Sequence, residues 1–236
     1  MVTVPLSTLN PYVFDFDAEV IHVNEDGSVE LDRTYFYATG GGQPSDTGKL
    51  LRNEETFIIK DVKKTDGFIT HIIDRPGLAQ GDKVHCIIDR DRRIMHMRMH
   101  TATHILCAVI ERAAGAKITG NQIGAEKTRI DMSLDGIDQD KIAEYIAAAN
   151  GIIAKNLDIK KYVTTREELM KNPHLVKLAM GFPEGIHDVH MVEVPECDNT
   201  PCGGTHIANT SEIGRIVFDS AESKGKDRKR IYFHLE

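Results

Sequence analysis

Two short motifs hold the residues best suited to binding a metal ion. His100 and His104 are four residues apart, and helical side chains at this spacing stack on one face about 5 to 6 Å apart at Cβ, so both imidazoles can reach one ion. Cys202 and His206 flank a Gly-Gly-Thr segment, whose glycines allow the thiolate and the imidazole to converge. Each motif supplies half of a site. Together they predict one cysteine and three histidines around a single ion.

This donor set suits zinc, with one Zn2+ per chain, because zinc is tetrahedral and accepts sulfur and nitrogen ligands. A metalloprotease of the thermolysin type needs a glutamate directly after the first histidine, and Thr101 stands there instead. A second possible ligand set combines Cys197 and Cys202 with His187 or His190. In a strand these two histidines, three residues apart, point to opposite faces, so we interpret Cys197 as a spare thiol near the site.

A glycine-rich segment in the first half of the chain, residues 39–48, is the second distinctive motif. Its glycines can expose backbone N–H groups to a phosphate or admit another backbone closely. The segment lacks the Lys-Ser/Thr ending of a phosphate-binding P-loop. Two interpretations stay open: a hairpin loop, or a loop that directs polar groups into a site on the second half. The residues concerned are Gly40, Gly41, Gly42, Gly48, Gln43 and Asp46.

The first part of the chain has the residue pattern of a small β-domain. Between residues 14 and 89, short runs of alternating apolar and polar residues are separated by turn residues, and AEVIHV with SVELD predicts a hairpin. Five or six short strands at this spacing predict a small β-barrel. We expect the first domain to span residues 1–89.

The second part, residues 90–236, mixes helices and strands. Residues 92–114 contain no proline or glycine, and apolar residues recur at spacings of three and four, which predicts a long helix ended by Gly115 and carrying His100 and His104. The further predicted elements are strands at 128–132, 159–164, 187–194, 214–220 and 230–235, and helices at 138–156, N-capped by Asp138, and 166–171. The fold class is therefore α+β, with a barrel followed by an α/β domain of mostly antiparallel sheet packed around a long helix.

Composition indicates a globular, cytoplasmic protein without a membrane segment. Hydrophobic residues make up 41% and charged residues 28% of the 236 positions, which excludes a disordered chain. No run of about 18 apolar residues occurs, and four cysteines are too few for a disulfide scaffold. The net charge of −7 argues against a uniformly basic surface. Residues 15–32 hold seven acids and no Lys or Arg, so the remainder of the chain is balanced.

The motifs HTATH, CGGTH and TSEIGRIVF together resemble the editing domain of alanyl-tRNA synthetase, which has a relative in threonyl-tRNA synthetase. The upstream FYATGGGQPSDTG resembles the glycine motif that precedes that domain. The resemblance runs from about Tyr35 to the C-terminus and leaves no room for an aminoacylation domain. The chain is therefore similar to the free-standing AlaX editing proteins of the medium-length type.

The resemblance implies a zinc-dependent deacylase that hydrolyses tRNA(Ala) charged with serine or glycine and spares Ala-tRNA(Ala). Its zinc ligands match the two motifs residue by residue, and its glycine motif matches residues 40–48. The bond cleaved is an ester to the terminal ribose, where zinc could generate hydroxide or anchor the substrate amine. The implied ligands are His100, His104, Cys202 and His206.

Two groups of residues complete the predicted site. A site that hydrogen-bonds the serine hydroxyl can reject alanine, and the polar residues proposed for this role, besides Gln43 and Asp46, are Thr103, Thr119, Asn121 and Gln122. The segment Ile118–Gln122 departs from the family, which commonly has a glutamine after the first helix. Basic clusters predicted to hold tRNA phosphates contain Arg92, Arg93, Lys224, Lys226, Arg228, Lys229 and Arg230.

Two other functions stay compatible with the residues themselves. One is a non-catalytic zinc module that binds RNA or a partner protein. The other is a zinc hydrolase that acts on small esters or amides.

Overall fold

The computed structural model describes residues 2–177, 185 and 187–236. It divides into two compact units, residues 1–96 and 97–236. The strands are β1 (Val4–Pro5), β2 (Asp15–Val23), β3 (Val29–Leu31), β4 (Arg33–Thr34), β5 (Gly48–Arg52), β6 (Glu55–Thr65), β7 (Phe68–Ile73), β8 (Lys83–Ile88), β9 (Ile118–Gln122), β10 (Thr128–Met132), β11 (Lys160–Thr165), β12 (Asp188–Val194), β13 (Asp198–Pro201), β14 (Ile216–Ser223) and β15 (Lys229–Leu235). The helices are α1 (Arg90–Ala114), α2 (Gln139–Ile153) and α3 (Arg166–Met170), with 3-10 turns at Pro173–Leu175 and Thr210–Glu212.

The first unit contains the predicted β-barrel. Strands β2, β3, β7, β6, β5 and β8 close on themselves in that order, and every pair is antiparallel. Strand β2 shows why the sequence favours closure: Phe16, Ala18 and Val20 are buried, while the acidic residues between them are exposed, as a two-residue period requires. The hairpin of β2 and β3 is confirmed. The short parallel pair of β1 and β4 was not predicted.

The glycine-rich segment forms a tight turn in this unit. Gly40 and Gln43 exchange both backbone hydrogen bonds, and Gly41 and Gly42 between them have φ of 57° and 84°, a conformation that favours glycine. Gly48 has a different role, because a Cβ there would lie 2.2 Å from the carbonyl oxygen of Ile87 in the neighbouring strand β8. The turn agrees with the first interpretation of this segment, and the second, a loop that directs polar groups into a site on the second half, stays a prediction.

A buried ion pair anchors this turn. Asp46 and Arg93 are both fully buried and form a bidentate pair. The backbone N–H of Tyr37 donates to the same carboxylate at 2.6 Å, and Arg93 Nη1 donates to the carbonyl of Pro11 at 2.7 Å. The predictions that Asp46 faces substrate and that Arg93 binds phosphate are therefore wrong, because both charges are neutralised inside the unit. Gln43 is also fully buried, so its predicted role at the substrate is not supported.

The second unit contains two antiparallel sheets and most of the long helix. Strands β14, β15, β10 and β9 form one sheet, and β11, β12 and β13 form the other. Helix α1 begins at Arg90 and ends at Ala114, where Gly115 adopts the predicted left-handed cap with φ of 66°. Asp138 caps α2 as predicted by accepting from two backbone N–H groups. The α+β fold class is confirmed, although the short strands β9 and β13 were not predicted.

Among the described residues, no helix is both long and apolar enough to cross a membrane.

The barrel contains a buried histidine that makes its stability depend on pH. His71 is fully buried; its Nδ1–H donates to the carbonyl of Val29 at 3.2 Å, and its Nε2 lies 2.9 Å from the hydroxyl of Thr34. Burial lowers the pKa of His71 to about 4, below the ordinary value of about 6.5. The imidazole is therefore neutral in the folded barrel at every pH above about 4.

We expect the free energy of unfolding to fall as the pH is lowered from about 6.5 to about 4, because in this range the unfolded chain binds a proton that the folded barrel excludes. The contribution of His71 is about 3 kcal/mol. Denaturant unfolding measured at several pH values gives the free energy of unfolding as a function of pH. Between pH 6.5 and about pH 4 this free energy should fall less steeply for His71→Leu than for the wild type. Equal slopes would show that another group governs the acid sensitivity.

Candidate metal centre

Four side chains from two segments of the second unit meet at one point. His100 and His104 lie on α1, and Cys202 and His206 follow β13; their ligand atoms all lie within 4.8 Å of one another. Cys202 Sγ is 3.5 Å from His100 Nε2 and 3.3 Å from His206 Nε2. The ring centroids of His104 and His206 are 4.8 Å apart. The structure therefore brings together the four residues that the sequence nominates as ligands.

The hairpin of β12 and β13 delivers the cysteine to this point. Pro201 pairs with Met191, and the backbone N–H of Cys202 donates to the carbonyl of His190 at 2.9 Å. The N–H of Gly204 in turn donates to Cys202 Sγ at 3.4 Å. The cysteine and the histidine converge as expected, although neither Gly203 nor Gly204 has a positive φ. Gly203 is exposed, and a Cβ there would meet nothing within 4 Å, so the backbone next to Cys202 borders open space.

Two of the imidazoles are oriented by hydrogen bonds to their second nitrogen. The hydroxyl of Thr101 donates to the carbonyl of Met97 at 2.9 Å, so its oxygen is left to accept from His206 Nδ1–H at 3.0 Å. The Nδ1–H of His104 donates to Asp198 Oδ2 at 2.8 Å. Each contact fixes the tautomer that leaves Nε2 free to bind an ion. The supporting roles of Thr101 and Asp198 were not predicted. The sequence did place the carboxylate of Asp198 four positions before the ligand Cys202, which could have indicated a role beside the metal site.

The cluster stabilises a thiolate at Cys202. Burial by itself would raise the pKa of this thiol, but the imidazoles of His100, His206 and His104 lower it well below its ordinary value. Burial lowers the pKa of His206 to about 3. Burial also opposes the charged form of His104, yet Cys202 and Asp198 outweigh it and raise the pKa of His104 to about 10. The thiolate therefore has a cationic partner in protonated His104. A metal ion bound by Nε2 of His104 would replace that proton and would supply the positive charge beside the thiolate.

The alternative ligand set does not form. Cys197 is buried, and its Sγ lies 4.0 Å from the carbonyl of Ile105. His187 is exposed and precedes β12, whereas His190 lies within it. Within the described part of the chain, the metal-ligand group found is the one that contains Cys202 and three histidines.

The polar residues predicted to read the amino acid fall into three environments. Thr103 is buried, and its hydroxyl donates to the carbonyl of Met99 within α1. Gln122 is exposed at the end of β9. Thr119 and Asn121, in the same strand, each hold a buried oxygen, Oγ1 and Oδ1, for which the described protein provides no hydrogen-bond partner.

The basic residues predicted to bind tRNA also divide. The Nε of Arg92 donates to the carbonyl of Ser45. Lys229 is buried and its ammonium donates to two carbonyls, so its predicted contact with phosphate is wrong. Arg230 is partly exposed and pairs with Asp131, and its contact with phosphate stays a prediction. Lys226 and Arg228 are exposed. Lys224 is exposed and pairs with Glu222 at 3.1 Å.

Comparison with known proteins assigns both parts of the chain. Residues 11–92 match the family profile described as "tRNA synthetases class II (A)", and residues 189–232 match "Threonyl and Alanyl tRNA synthetase second additional domain". An alanyl-tRNA editing protein AlaX-M from Methanosarcina acetivorans is 47% identical over 96% of both chains. The chain belongs to the AlaX-M family.

More distant relatives of this AlaX-M chain agree with that assignment. An AlaX-M protein from Saccharolobus solfataricus is 41% identical over 95% of both chains. An alanine–tRNA ligase from Methanothrix thermoacetophila is 35% identical over 94% of this chain but only 24% of its own length. The resemblance inferred from the sequence motifs is confirmed.

The contact between Thr101 and His206 leads to a prediction about metal affinity. Thr101→Val removes the acceptor that orients His206, so we expect zinc to bind about tenfold more weakly. Thr103→Val is the matched control, because Thr103 makes the same bond to its own helix and is not a ligand. Competition with a chromophoric chelator measures both affinities. An equal loss in the two variants would mean that the effect comes from α1 and not from the imidazole.

Proposed function

We propose that this alanyl-tRNA editing protein hydrolyses tRNA(Ala) mischarged with serine or glycine, spares Ala-tRNA(Ala), and uses one Zn2+ held by His100, His104, Cys202 and His206. The convergence of these four donors is the observation that carries the proposal. We further propose that it acts in the cytoplasm: all four cysteines are free thiols, which suits a reducing compartment.

The donor set fits zinc in chemistry and spacing. Zn–N bonds of about 2.0 Å and Zn–S bonds of about 2.3 Å in a tetrahedron require sulfur and nitrogen ligands about 3.5 Å apart. The two measured Sγ–Nε2 separations, 3.5 and 3.3 Å, match this edge length. One thiolate with three imidazoles is a borderline-soft set, which favours zinc over magnesium or calcium.

The division of labour follows from the contacts. When bound, zinc supplies a Lewis acid beside the ester bond. The chain itself holds the imidazoles in place through Thr101 and Asp198. Gly203, next to the ligand Cys202, is exposed and borders open space, and we propose that the aminoacyl end of a tRNA approaches there.

Discrimination between serine and alanine requires a partner for one hydroxyl group. Thr119 Oγ1 and Asn121 Oδ1 are buried without a partner among the described residues, and each such atom costs about 1 to 3 kcal/mol. A ligand that supplies donors recovers this cost, whereas alanine lacks the hydroxyl that could do so. A chain of contacts connects their strand with the metal ligands: the N–H of Ile118 donates to the carbonyl of Lys177, and the ammonium of Lys177 lies 2.9 Å from Asp198.

Contact with tRNA phosphates is proposed for the exposed basic residues only. Lys226 and Arg228 lie in the turn between β14 and β15, and Lys224 lies beside them. Their side chains are exposed to solvent, where they can bind a phosphate. Such contacts position the tRNA and carry no sequence information.

The test of this function is release of amino acid from charged tRNA. The zinc-loaded protein should hydrolyse Ser-tRNA(Ala) and Gly-tRNA(Ala) and leave Ala-tRNA(Ala) intact. His104→Ala should lower the rate about a hundredfold or more, because it removes a ligand and the partner of Asp198. His85→Ala is the control, since His85 is a partly exposed histidine in the barrel.

Three results would contradict the proposal. Zinc binding without release of serine would indicate a non-catalytic module. Faster hydrolysis of a seryl methyl ester than of Ser-tRNA(Ala) would indicate a small-ester hydrolase. Undiminished activity of His104→Ala would remove the metal site from the mechanism.

The partnerless oxygen of Thr119 gives a prediction about specificity. Thr119→Val keeps the shape of the side chain without its hydroxyl, so we expect kcat/KM for Ser-tRNA(Ala) to fall about tenfold, the value of one hydrogen bond, with no fall for Gly-tRNA(Ala). Gln122→Ala, an exposed position in the same strand, is the matched control. If kcat/KM falls equally for both substrates in Thr119→Val, Thr119 does not bind the serine hydroxyl.

A further inference from the structure

A buried chain of charges lies behind the metal centre. Asp198 is almost fully buried, and its Oδ2 accepts from His104 Nδ1–H at 2.8 Å and from the hydroxyl of Thr200 at 2.9 Å. Its other oxygen, Oδ1, lies 2.9 Å from Lys177 Nζ. The same ammonium lies 2.7 Å from Glu111. We refer to Glu111, Lys177 and Asp198 as the charge chain.

Lys177 is the only cation of the charge chain, and it faces two carboxylates. Its side chain is 16% exposed and that of Asp198 is 2% exposed, so solvent screens the pair little. Without the ammonium, Oδ1 of the buried Asp198 would lose its charged partner, and only the contacts of Oδ2 with His104 and Thr200 would hold the carboxylate. The position of the imidazole therefore depends on a lysine that does not touch it.

Lys177 also holds the strand that follows α1. Its carbonyl accepts from the backbone N–H of Ile118 at 3.3 Å, and Ile118 is the first residue of β9. Thr119 and Asn121 follow Ile118 in the same strand. One residue thus contacts both the support of a metal ligand and the start of the strand assigned to reading the amino acid.

The structure assigns Lys177 as a positioning residue: its ammonium fixes Asp198 against His104, and its carbonyl fixes the start of β9, so that the metal ligand and the specificity strand are held in one frame. This assignment rests on the proposed function, in which His104 binds zinc. It predicts that removing the ammonium changes the metal site without removing a ligand.

The first measurement is the zinc dissociation constant by chelator competition in the absence of tRNA. Lys177→Met should weaken zinc binding about tenfold to a hundredfold, and Lys177→Arg, which keeps the charge, should recover part of the loss. Lys155→Met is the matched control: it removes an exposed ion pair with Glu196, in the turn between β12 and β13, and should leave the constant unchanged.

A double-mutant cycle tests whether Lys177 acts through Asp198. Asp198→Asn alone should weaken zinc binding, and Lys177→Met should add little in that background, because the group it positions is already altered. The absorption spectrum of the cobalt-loaded protein provides a second readout, with bands shifted in Lys177→Met and unshifted in Lys155→Met. If Lys177→Met does not fold, the zinc dissociation constant of the double variant, which lacks both charges of the pair, is compared with those of Asp198→Asn and Lys177→Arg. The double variant should then bind zinc about as weakly as Asp198→Asn does.

The outcomes separate this assignment from the proposed function. An unchanged zinc constant in Lys177→Met, or fully additive losses in the cycle, would overturn the role of Lys177 even if the wild type releases serine. Weakened zinc binding with non-additive losses would support that role even if no serine is released. In steady-state kinetics with Ser-tRNA(Ala), we expect the kcat of Lys177→Met to fall by a larger factor than its KM rises.

Discussion

A buried thiolate is the constraint on which the metal centre depends. Burial disfavours the charge on Cys202, and three imidazoles from two segments lower the pKa of its thiol in spite of it. Two of those imidazoles, His206 and His104, are held with Nε2 toward the sulfur by their contacts with Thr101 and Asp198. The surrounding fold can be understood as the support that keeps four mutually dependent side chains in register.

Rigid elements supply that support. Helix α1 fixes two histidines one turn apart, and the hairpin of β12 and β13 fixes Cys202 through a backbone hydrogen bond. Arg112, near the end of α1, donates to the carbonyls of Glu196 and Cys197 in that hairpin. Helix and hairpin are thus joined directly, so the two halves of the ligand set do not depend on loop conformation alone.

The sequence predicts the ligands and the barrel because both depend on local spacing. A four-residue interval places two histidines on one helical face, and alternation in β2 separates the barrel interior from solvent. Pairing across long separations leaves no such trace: nothing local shows that Arg93 neutralises Asp46, 47 positions away, or that Lys177 reaches Asp198. Strand β9 was missed because it contains glycine and polar residues, and its strand structure depends on pairing with β10.

X-ray absorption by the zinc-loaded protein tests the central claim most directly. The account predicts one zinc per chain with one sulfur at about 2.3 Å and three nitrogens at about 2.0 Å, and loss of the sulfur shell in Cys202→Ser. A stoichiometry near zero, or a first shell of oxygen atoms that is the same in the wild type and in Cys202→Ser, would contradict it.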